Sequence, residues 1–98
     1  MTIVLHLHEL TGVFAENKDI ARAIRQNDML PAIKNNETVI LDFAQVQGAT
    51  QSFIHALLSE LFREYSLEIL DQLEFKNCNE TIKSVINIVV DYMQESLS

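Results

Sequence analysis

The feature that most constrains this fold is an unbroken apolar run followed by the pattern of an amphipathic helix. Within residues 38–43, Val39, Ile40 and Leu41 stand in a row between polar neighbours. Such a run is typical of a strand that is covered on both faces, as in parallel sheets. After a short polar stretch, a helix is predicted from Gln51 to Tyr65, because apolar residues recur there at helical spacing: Ile54, Leu57, Leu58, Leu61 and Tyr65.

The segment before this unit also reads as a strand followed by helix. Residues 2–10 alternate between two faces, which predicts a strand with His6 and His8 on the same side. Residues 18–26 and 28–34 carry helical patterns separated by a polar cap signal, so they form two short helices or one kinked helix.

The segment after this strand and helix again has a strand pattern followed by a helix pattern. Residues 73–77 predict a third strand, and Asn79 is a good N-cap for a last helix. The order β-α-β-α-β-α predicts an α/β fold, a mostly parallel sheet of three or four strands with helices packed on it. We expect one domain spanning residues 1–98. The predicted core consists of Leu41, Phe43, Ile54, Leu57, Leu61, Phe75, Ile82 and Ile86.

The charge of the chain argues against two classes of partner. The formal net charge is −7, and the seven lysines and arginines are spread along the sequence, so no basic cluster is expected. Binding to nucleic acid or to an anionic membrane surface needs such a cluster, and neither is expected. No apolar run approaches the ~20 residues that span a bilayer, and no secretory signal is visible, so a cytoplasmic location is expected.

The chemistry-bearing residues do not form a catalytic or metal-binding pattern. No phosphate-binding glycine loop, nucleophile elbow or paired catalytic motif occurs, so we expect no enzymatic activity and no cofactor. His6 and His8 are too few to hold a structural metal, and His55 has no matching carboxylate at ligand spacing. Cys78 is the only cysteine and is interpreted as an ordinary turn residue.

Polar residues follow the predicted strands at the edge where parallel strands end. Asp42 closes the apolar strand, where it either caps nearby amides or faces a ligand crevice, and capping is the favoured interpretation. Thr50 and Ser52 stand at the start of the next helix, where unpaired amides favour anionic groups. Asn77 and Asn79 flank the end of the third strand, and we expect them to cap or close the turn on the same edge as Ser52.

Several of these segments resemble STAS domains, the family of sulfate-transporter modules and anti-sigma factor antagonists. The Leu-Asp-Phe strand end at residues 41–43 and the Ser52-Phe53 pair at a helix start are similar to the central unit of that family. The segments AIRQNDMLPAI and LEFKNCNETIKSV, at residues 23–33 and 73–85, look like a small bacterial STAS-like family of formerly unknown function. The resemblance extends over nearly the whole chain and implies a STAS-like fold.

The resemblance also implies a function. STAS antagonists are regulatory modules that engage a histidine-kinase-like ATPase through the start of this helix, and the charge state of one serine decides which partner binds. Ser52 is the matching phosphoacceptor candidate. The family usually reads Asp-Ser-Ser/Thr-Gly there, whereas this chain reads Thr-Gln-Ser-Phe, which favours binding without phosphorylation. The candidate partner-binding residues are Asp42, Thr50, Gln51, Ser52, Phe53, Asn77 and Asn79.

Two alternatives remain open from the sequence. The domain could be a passive scaffold that self-associates, as a homodimer, or docks beside an ATPase without phosphorylation. It could also sense a small molecule in the crevice at the carboxyl ends of the strands. An ATPase encoded next door would favour a protein partner, and a cavity of ligand size would favour the sensor.

Overall fold

Three parallel strands form the central sheet of the protein. The computed structural model describes residues 1–97, and the side chains of residues 1–95. Strands β1 (Thr2–His6), β3 (Thr38–Asp42) and β5 (Leu73–Lys76) lie in the order β1-β3-β5. In the register, Leu41 of β3 lies between Leu5 and Phe75 of its neighbours. The predicted parallel α/β fold is therefore confirmed, with the apolar strand at the centre of the sheet.

The central strand is covered unequally on its two faces. Val39 and Leu41 are fully buried, whereas Ile40 between them is only partly buried. The strand is therefore covered on both faces, as expected, but more completely on the face of Val39 and Leu41 than on that of Ile40. A second, two-stranded parallel sheet stands apart from the first and is formed by β2 (Phe14–Ala15) and β4 (Gly48–Ala49).

The β2–β4 pair holds in place the start of the helix that follows Thr50. The amide of Gln47 donates to the carbonyl of Val13 at 2.7 Å, and the amide of Thr50 donates to the carbonyl of Ala15 at 3.0 Å. Gly48 permits this approach, because a Cβ there would lie 2.8 Å from a ring carbon of Phe14. The pair fixes the direction in which the chain enters the helix that follows Thr50.

The first strand is shorter than its alternating pattern predicts. It ends at His6, and helix α1 (Leu7–Thr11) follows at once, with the Thr11 hydroxyl donating to the carbonyl of Leu7 at 3.0 Å. Leu7 is fully buried, so its packing decides the backbone there over the local alternation. His8 therefore lies on a helix and not beside His6 on one strand face, which corrects that expectation.

The next helical region is continuous but changes its winding. Helix α2 (Lys18–Ile24) passes directly into a π-helical segment (Arg25–Met29) and then into helix α3 (Leu30–Lys34). The side chain of Asn17 caps α2, accepting from the amide of Asp19 at 2.8 Å. The expected cap at residues 27–28 does not start a new helix. Pro31 would clash with a regular preceding turn, and the widened turn lies immediately before it.

Two long helices complete the fold. Helix α4 (Gln51–Tyr65) has the predicted bounds and packs against α2 and against helix α5 (Glu80–Leu97). A 3-10 helix (Ser66–Gln72) links α4 to β5, with Ile69 buried. Of the eight predicted core residues, seven are buried and Phe75 is partly buried. Within residues 1–97, no helix combines the length and apolar character that crossing a bilayer requires.

Candidate functional site

The carboxylate of Asp42 joins the ends of all three central strands. Its Oδ1 atom accepts from the Ala44 amide and from Nδ2 of Asn77, each at 2.9 Å. Its Oδ2 atom lies 3.2 Å from Nδ1 of His6, at the end of β1. Asp42 thus closes its own loop and ties β3 to the residues that end β1 and follow β5. The capping interpretation of Asp42 agrees with this geometry.

The hydrogen bonds of Asp42 make the stability of the fold sensitive to acid. The side chain of Asn77, then the Ala44 amide and the nearby His6, hold the pKa of the Asp42 carboxyl below its ordinary value of 3.8. A lowered pKa means that the ionised form stabilises the fold. This contribution is present above the pKa of the unfolded chain and is lost as pH falls through the lower pKa of the folded protein.

We predict that Asp42→Asn destabilises the protein at neutral pH and that the difference from the unmodified chain shrinks on acidification. The asparagine retains acceptors for Ala44 and Asn77 but has no charge to strengthen those bonds. Urea unfolding at a series of pH values measures the difference. Asp91→Asn is the matched control, because Asp91 is exposed and its side chain has no hydrogen bond or ion pair with residues 1–95. A difference for Asp42→Asn that stays constant below pH 3.8 would contradict the assignment.

The two asparagines of the same edge are also engaged within the protein. Nδ2 of Asn79 donates to the carbonyl of Gln47 at 2.8 Å, and its Oδ1 accepts from the Ile82 amide at 2.9 Å. Asn79 is therefore the N-cap of α5 and fastens the loop before α4. Asn77 adopts a left-handed backbone with φ of 59° while it contacts Asp42. Asp42, Asn77 and Asn79 hold this edge of the sheet together through these hydrogen bonds, and their contact with a partner stays a prediction.

At the start of α4, the four candidate residues divide into two kinds. Thr50 is the N-cap, since its Oγ1 accepts from the Phe53 amide at 3.0 Å, and Phe53 is fully buried. The prediction that Phe53 contacts a partner is therefore wrong, because its side chain belongs to the core. Gln51 and Ser52 are exposed, and the Ser52 hydroxyl has no hydrogen bond with residues 1–95. Thr50 and Phe53 fix the helix start, and Gln51 and Ser52 face outward from it.

Beside Ser52 lies a groove of about 590 Å³ between α2, α4 and α5. Four of the seven basic residues of the chain line it: Lys18, Arg22, Arg25 and Arg63. Glu60 is the one carboxylate among the lining residues, so the lining carries net positive charge in a strongly acidic protein. The expectation that no basic cluster exists is wrong. Folding brings Arg63 of α4 to the groove that is also lined by Lys18 and Arg22 of α2 and by Arg25 of the π-helical segment.

Arg25 is the least exposed cation of this groove, at 3%. It is the first residue of the π-helical segment and projects against α4, where Nη1 donates to the carbonyl of Ala56. Its Nη2 lies 3.5 Å from the Glu60 carboxylate, while its Nε is buried and has no acceptor within the described residues. Buried polar groups are normally paired, so the unpaired Nε of Arg25 is unusual. Its position in a π-helical segment is also notable, because such turns occur often at functional sites.

The family of this chain follows from a comparison with known protein families. Residues 21–83 match the sequence model of a family described as STAS-like domain of unknown function (DUF4325). The chain belongs to this family. The matched part of the STAS-like domain contains Asp42, Ser52, Arg25 and Arg63, whereas Lys18 lies before it. Searches of curated proteins and of solved structures found no match.

The groove of this STAS-like domain also has an aromatic side. The rings of His55 and Tyr92 meet edge to face with their centroids 6.3 Å apart, and Tyr92 and Ile88 of α5 are 60% and 48% exposed. The sequence did contain a signal for the cationic side. Lys18, Arg22 and Arg25 recur at a spacing of four and three, which places them on one helix face. The contribution of α4 and α5 depends on tertiary packing and has no local signal.

A second cavity of the STAS-like domain lies at the carboxyl end of β5, where the sequence suggested a ligand crevice. It measures about 630 Å³ and is lined by Lys76, Asn77, Cys78, Lys83 and residues of β5 and α5. Burial raises the pKa of the Cys78 thiol, although Lys83 opposes the shift. The thiol is therefore not activated as a nucleophile. Within the described residues, no group of three or more histidine, cysteine or acidic side chains is arranged to hold a metal.

Proposed function

We propose that this STAS-like domain is a regulatory protein-binding module that engages a protein partner through the start of α4. The observation that carries the proposal is the division of roles around Ser52. Thr50 and Phe53 hold the helix start in place, and Gln51 and Ser52 present free polar groups to solvent. Binding residues on a rigid element cost little to order when a partner arrives. The partner that the STAS resemblance implies is a histidine-kinase-like ATPase.

Binding without phosphorylation is the favoured form of the proposal. The aspartate and glycine that flank the phosphorylated serine of STAS antagonists are replaced here by Thr50 and Phe53 in the aligned tetrapeptide. Both residues have structural roles at the helix start, as a cap and as a core side chain. The motif around Ser52 is therefore built to hold the helix, and Ser52 serves as a contact residue.

We predict that Ser52→Asp weakens partner binding more than tenfold and that Ser52→Ala changes it by less than about threefold. A carboxylate at the centre of an interface is desolvated or meets like charge, which costs several kcal/mol. Both variants should remain folded, because a helix start tolerates a negative charge and Thr50 keeps the cap. Affinities are measured with the partner recovered from the native cell, by co-purification and mass spectrometry.

Ser84→Asp is the matched control for this experiment. Ser84 is exposed on α5 and does not line the groove beside Ser52, so the same change of charge should leave partner binding unaltered. Equal affinities for Ser52→Ala and Ser52→Asp would refute the contact role of Ser52. Recovery of a phosphate on Ser52 would replace constitutive binding by a phosphorylation switch. Recovery of copies of this chain alone would support the passive, self-associating scaffold.

A further inference from the structure

We propose that the outer edge of strand β1 pairs with β1 of a second copy of this chain, in antiparallel direction, to form a symmetric dimer. The two three-stranded sheets would then join into one sheet of six strands. The register is centred on Val4, which would lie opposite its counterpart in the second copy. This surface goes beyond the proposed function, because it uses none of the residues at the start of α4.

The outer edge of β1 leaves backbone groups unpaired within residues 1–97. The strand has a neighbour, β3, on one side only. The Met1 carbonyl accepts from the Thr38 amide at 3.0 Å, and backbone groups alternate in direction along a strand, so the odd-numbered residues of β1 face β3. The amides of Thr2, Val4 and His6 and the carbonyls of Thr2 and Val4 therefore point outward. Nothing in the described chain pairs with them.

An antiparallel pairing centred on Val4 satisfies these groups by symmetry. Residues that lie opposite each other at hydrogen-bonded positions exchange two bonds. Val4 would exchange them with its counterpart, and Thr2 would lie opposite His6 of the second copy. Only this register uses all three outward residues, since a shift by one residue sets outward groups of one strand against inward groups of the other. The same surface is then used by both copies, as a twofold dimer requires.

The charge of β1 suits a second copy of this chain. Residues 1–5 include no charged side chain, and the first acidic residue is Glu9. Two copies with a net charge of −7 each repel one another, and the repulsion is weakest where acidic side chains are absent. In the proposed register Thr2 meets His6, and Val4 meets its own counterpart. No like charges lie opposite each other, and like charges there would be destabilising.

The core-facing side chains of β1 are incompletely covered in the single chain. Ile3 and Leu5 are in register with Val39 and Leu41 of β3, which are fully buried, yet both are only partly buried. Since β1 is an edge strand, nothing covers their outer side within the sheet. In the dimer Ile3 would lie opposite Leu5 of the second copy on the same face. The apolar layer would continue from one sheet into the other.

Exposed apolar side chains are also concentrated in this part of the chain. Among the described side chains, seven large apolar residues are exposed, and five of these lie within residues 1–14: Met1, Val4, Leu10, Val13 and Phe14. Val4 lies at the centre of the proposed contact, and Met1 directly precedes β1. Apolar exposure of this kind marks interaction surfaces.

The other edge of the sheet is less suited to pairing. Strand β5 has four residues and carries two exposed charged side chains, Glu74 and Lys76. Short length and charged side chains are features by which proteins prevent an edge strand from pairing with another chain. Strand β1 is longer and contains neither a lysine, an acidic residue nor a proline. It is therefore β1 that is open to a second copy.

Amide hydrogen exchange of the full chain, followed by NMR at rising protein concentration, tests the register. The amides of Thr2, Val4 and His6 should exchange more slowly as the concentration is raised, because association covers them. The amide of Phe75 is the matched control. It points away from β3 at the other edge of the sheet, since the next carbonyl, that of Lys76, accepts from the Phe43 amide, and its exchange should not depend on concentration.

Two opposite charges at Val4 decide between β1 pairing and any other dimer. Val4→Lys and Val4→Glu each place like charges at the twofold axis, and each should weaken self-association about tenfold or more in sedimentation equilibrium. An equimolar mixture of the two should restore association, because lysine then lies opposite glutamate. Ile88→Lys is the matched control: Ile88 is 48% exposed on α5 and Val4 is 46% exposed, and this variant should associate like the unmodified chain. Thermal unfolding verifies that each variant is folded.

The proposal is overturned if the chain remains monomeric at about 1 mM. It is also overturned by a dimer that Val4→Lys does not weaken, or by a mixture of the two Val4 variants that stays dissociated. Protection of the outward amides only after another protein is added would assign the edge to that protein instead. Ser52 takes no part in any of these measurements, so their failure leaves the proposed function standing, and failure of partner binding leaves the dimer standing.

Discussion

Truncation of Leu57 to alanine is expected to lower the free energy of unfolding by about 2–5 kcal/mol. Leu57 is fully buried in the middle of α4, the helix that packs against both α2 and α5. Removing its side chain loses the transfer free energy of the deleted carbons and leaves a cavity that three packed elements cannot fill by local movement. Urea unfolding followed by far-ultraviolet circular dichroism measures the change.

Glu64→Ala is the matched control in the same helix. Glu64 is exposed and its side chain forms no hydrogen bond or ion pair with residues 1–95, so its truncation should change the free energy of unfolding by less than about 0.5 kcal/mol. A loss of that small size for Leu57→Ala would mean that α4 presents a different face to the core. It would also displace Ser52 and Arg63, which are placed by the same helix.

The elements predicted best from the sequence are those in which a capping residue and a long apolar pattern indicate the same helix. Helix α4 has the predicted bounds because Thr50 supplies a cap at one end and the apolar stripe fixes the buried face. The last helix follows from Asn79 in the same way, since its side chain caps the Ile82 amide. In both helices a local hydrogen bond and a long periodic pattern point to the same start.

The elements that the sequence does not predict depend on contacts between distant residues. The pair β2–β4 has two residues in each strand, too few for any alternation to be recognised. The strand pattern over residues 2–10 is real but is overridden after His6, where burial of Leu7 in a helical turn is favoured. The π-helical segment follows from the accommodation of Pro31 within a continuous helix, and cap signals alone suggest a break.

In the candidate site, too, the features that depend on neighbouring residues could be predicted, whereas those that depend on residues far apart in the sequence could not. The exposure of Ser52 could be predicted, because a helix start needs only one capping residue and Thr50 precedes it. The roles of Asp42 and Asn77 as partners of each other could not, since 35 residues separate them. The groove was missed because a spread of basic residues along the sequence says little about their spread in space. Four of them meet only when α2 packs on α4.

Arg25→Met is expected to leave the free energy of unfolding, measured by urea unfolding, unchanged or to raise it by up to about 2 kcal/mol. Replacing a buried charge by an apolar side chain of similar length is often neutral or stabilising, because the desolvation of the charge is avoided. Methionine is flexible enough to occupy the space. Glu60 is more than half exposed and returns to water, and the Ala56 carbonyl keeps its bond within α4.

Arg22→Met separates the loss of a buried guanidinium from the loss of any arginine on this face. Arg22 lies on the same helix with more than half of its side chain exposed, so its replacement should change the free energy of unfolding by less than about 0.5 kcal/mol. A stability loss above about 2 kcal/mol for Arg25→Met would make Arg25 a structural residue, whose hydrogen bond to Ala56 is sufficient reason for its burial. A variant as stable as the unmodified chain would instead mean that the fold does not need the Arg25 guanidinium, whose Nε is buried without an acceptor in the described part of the chain.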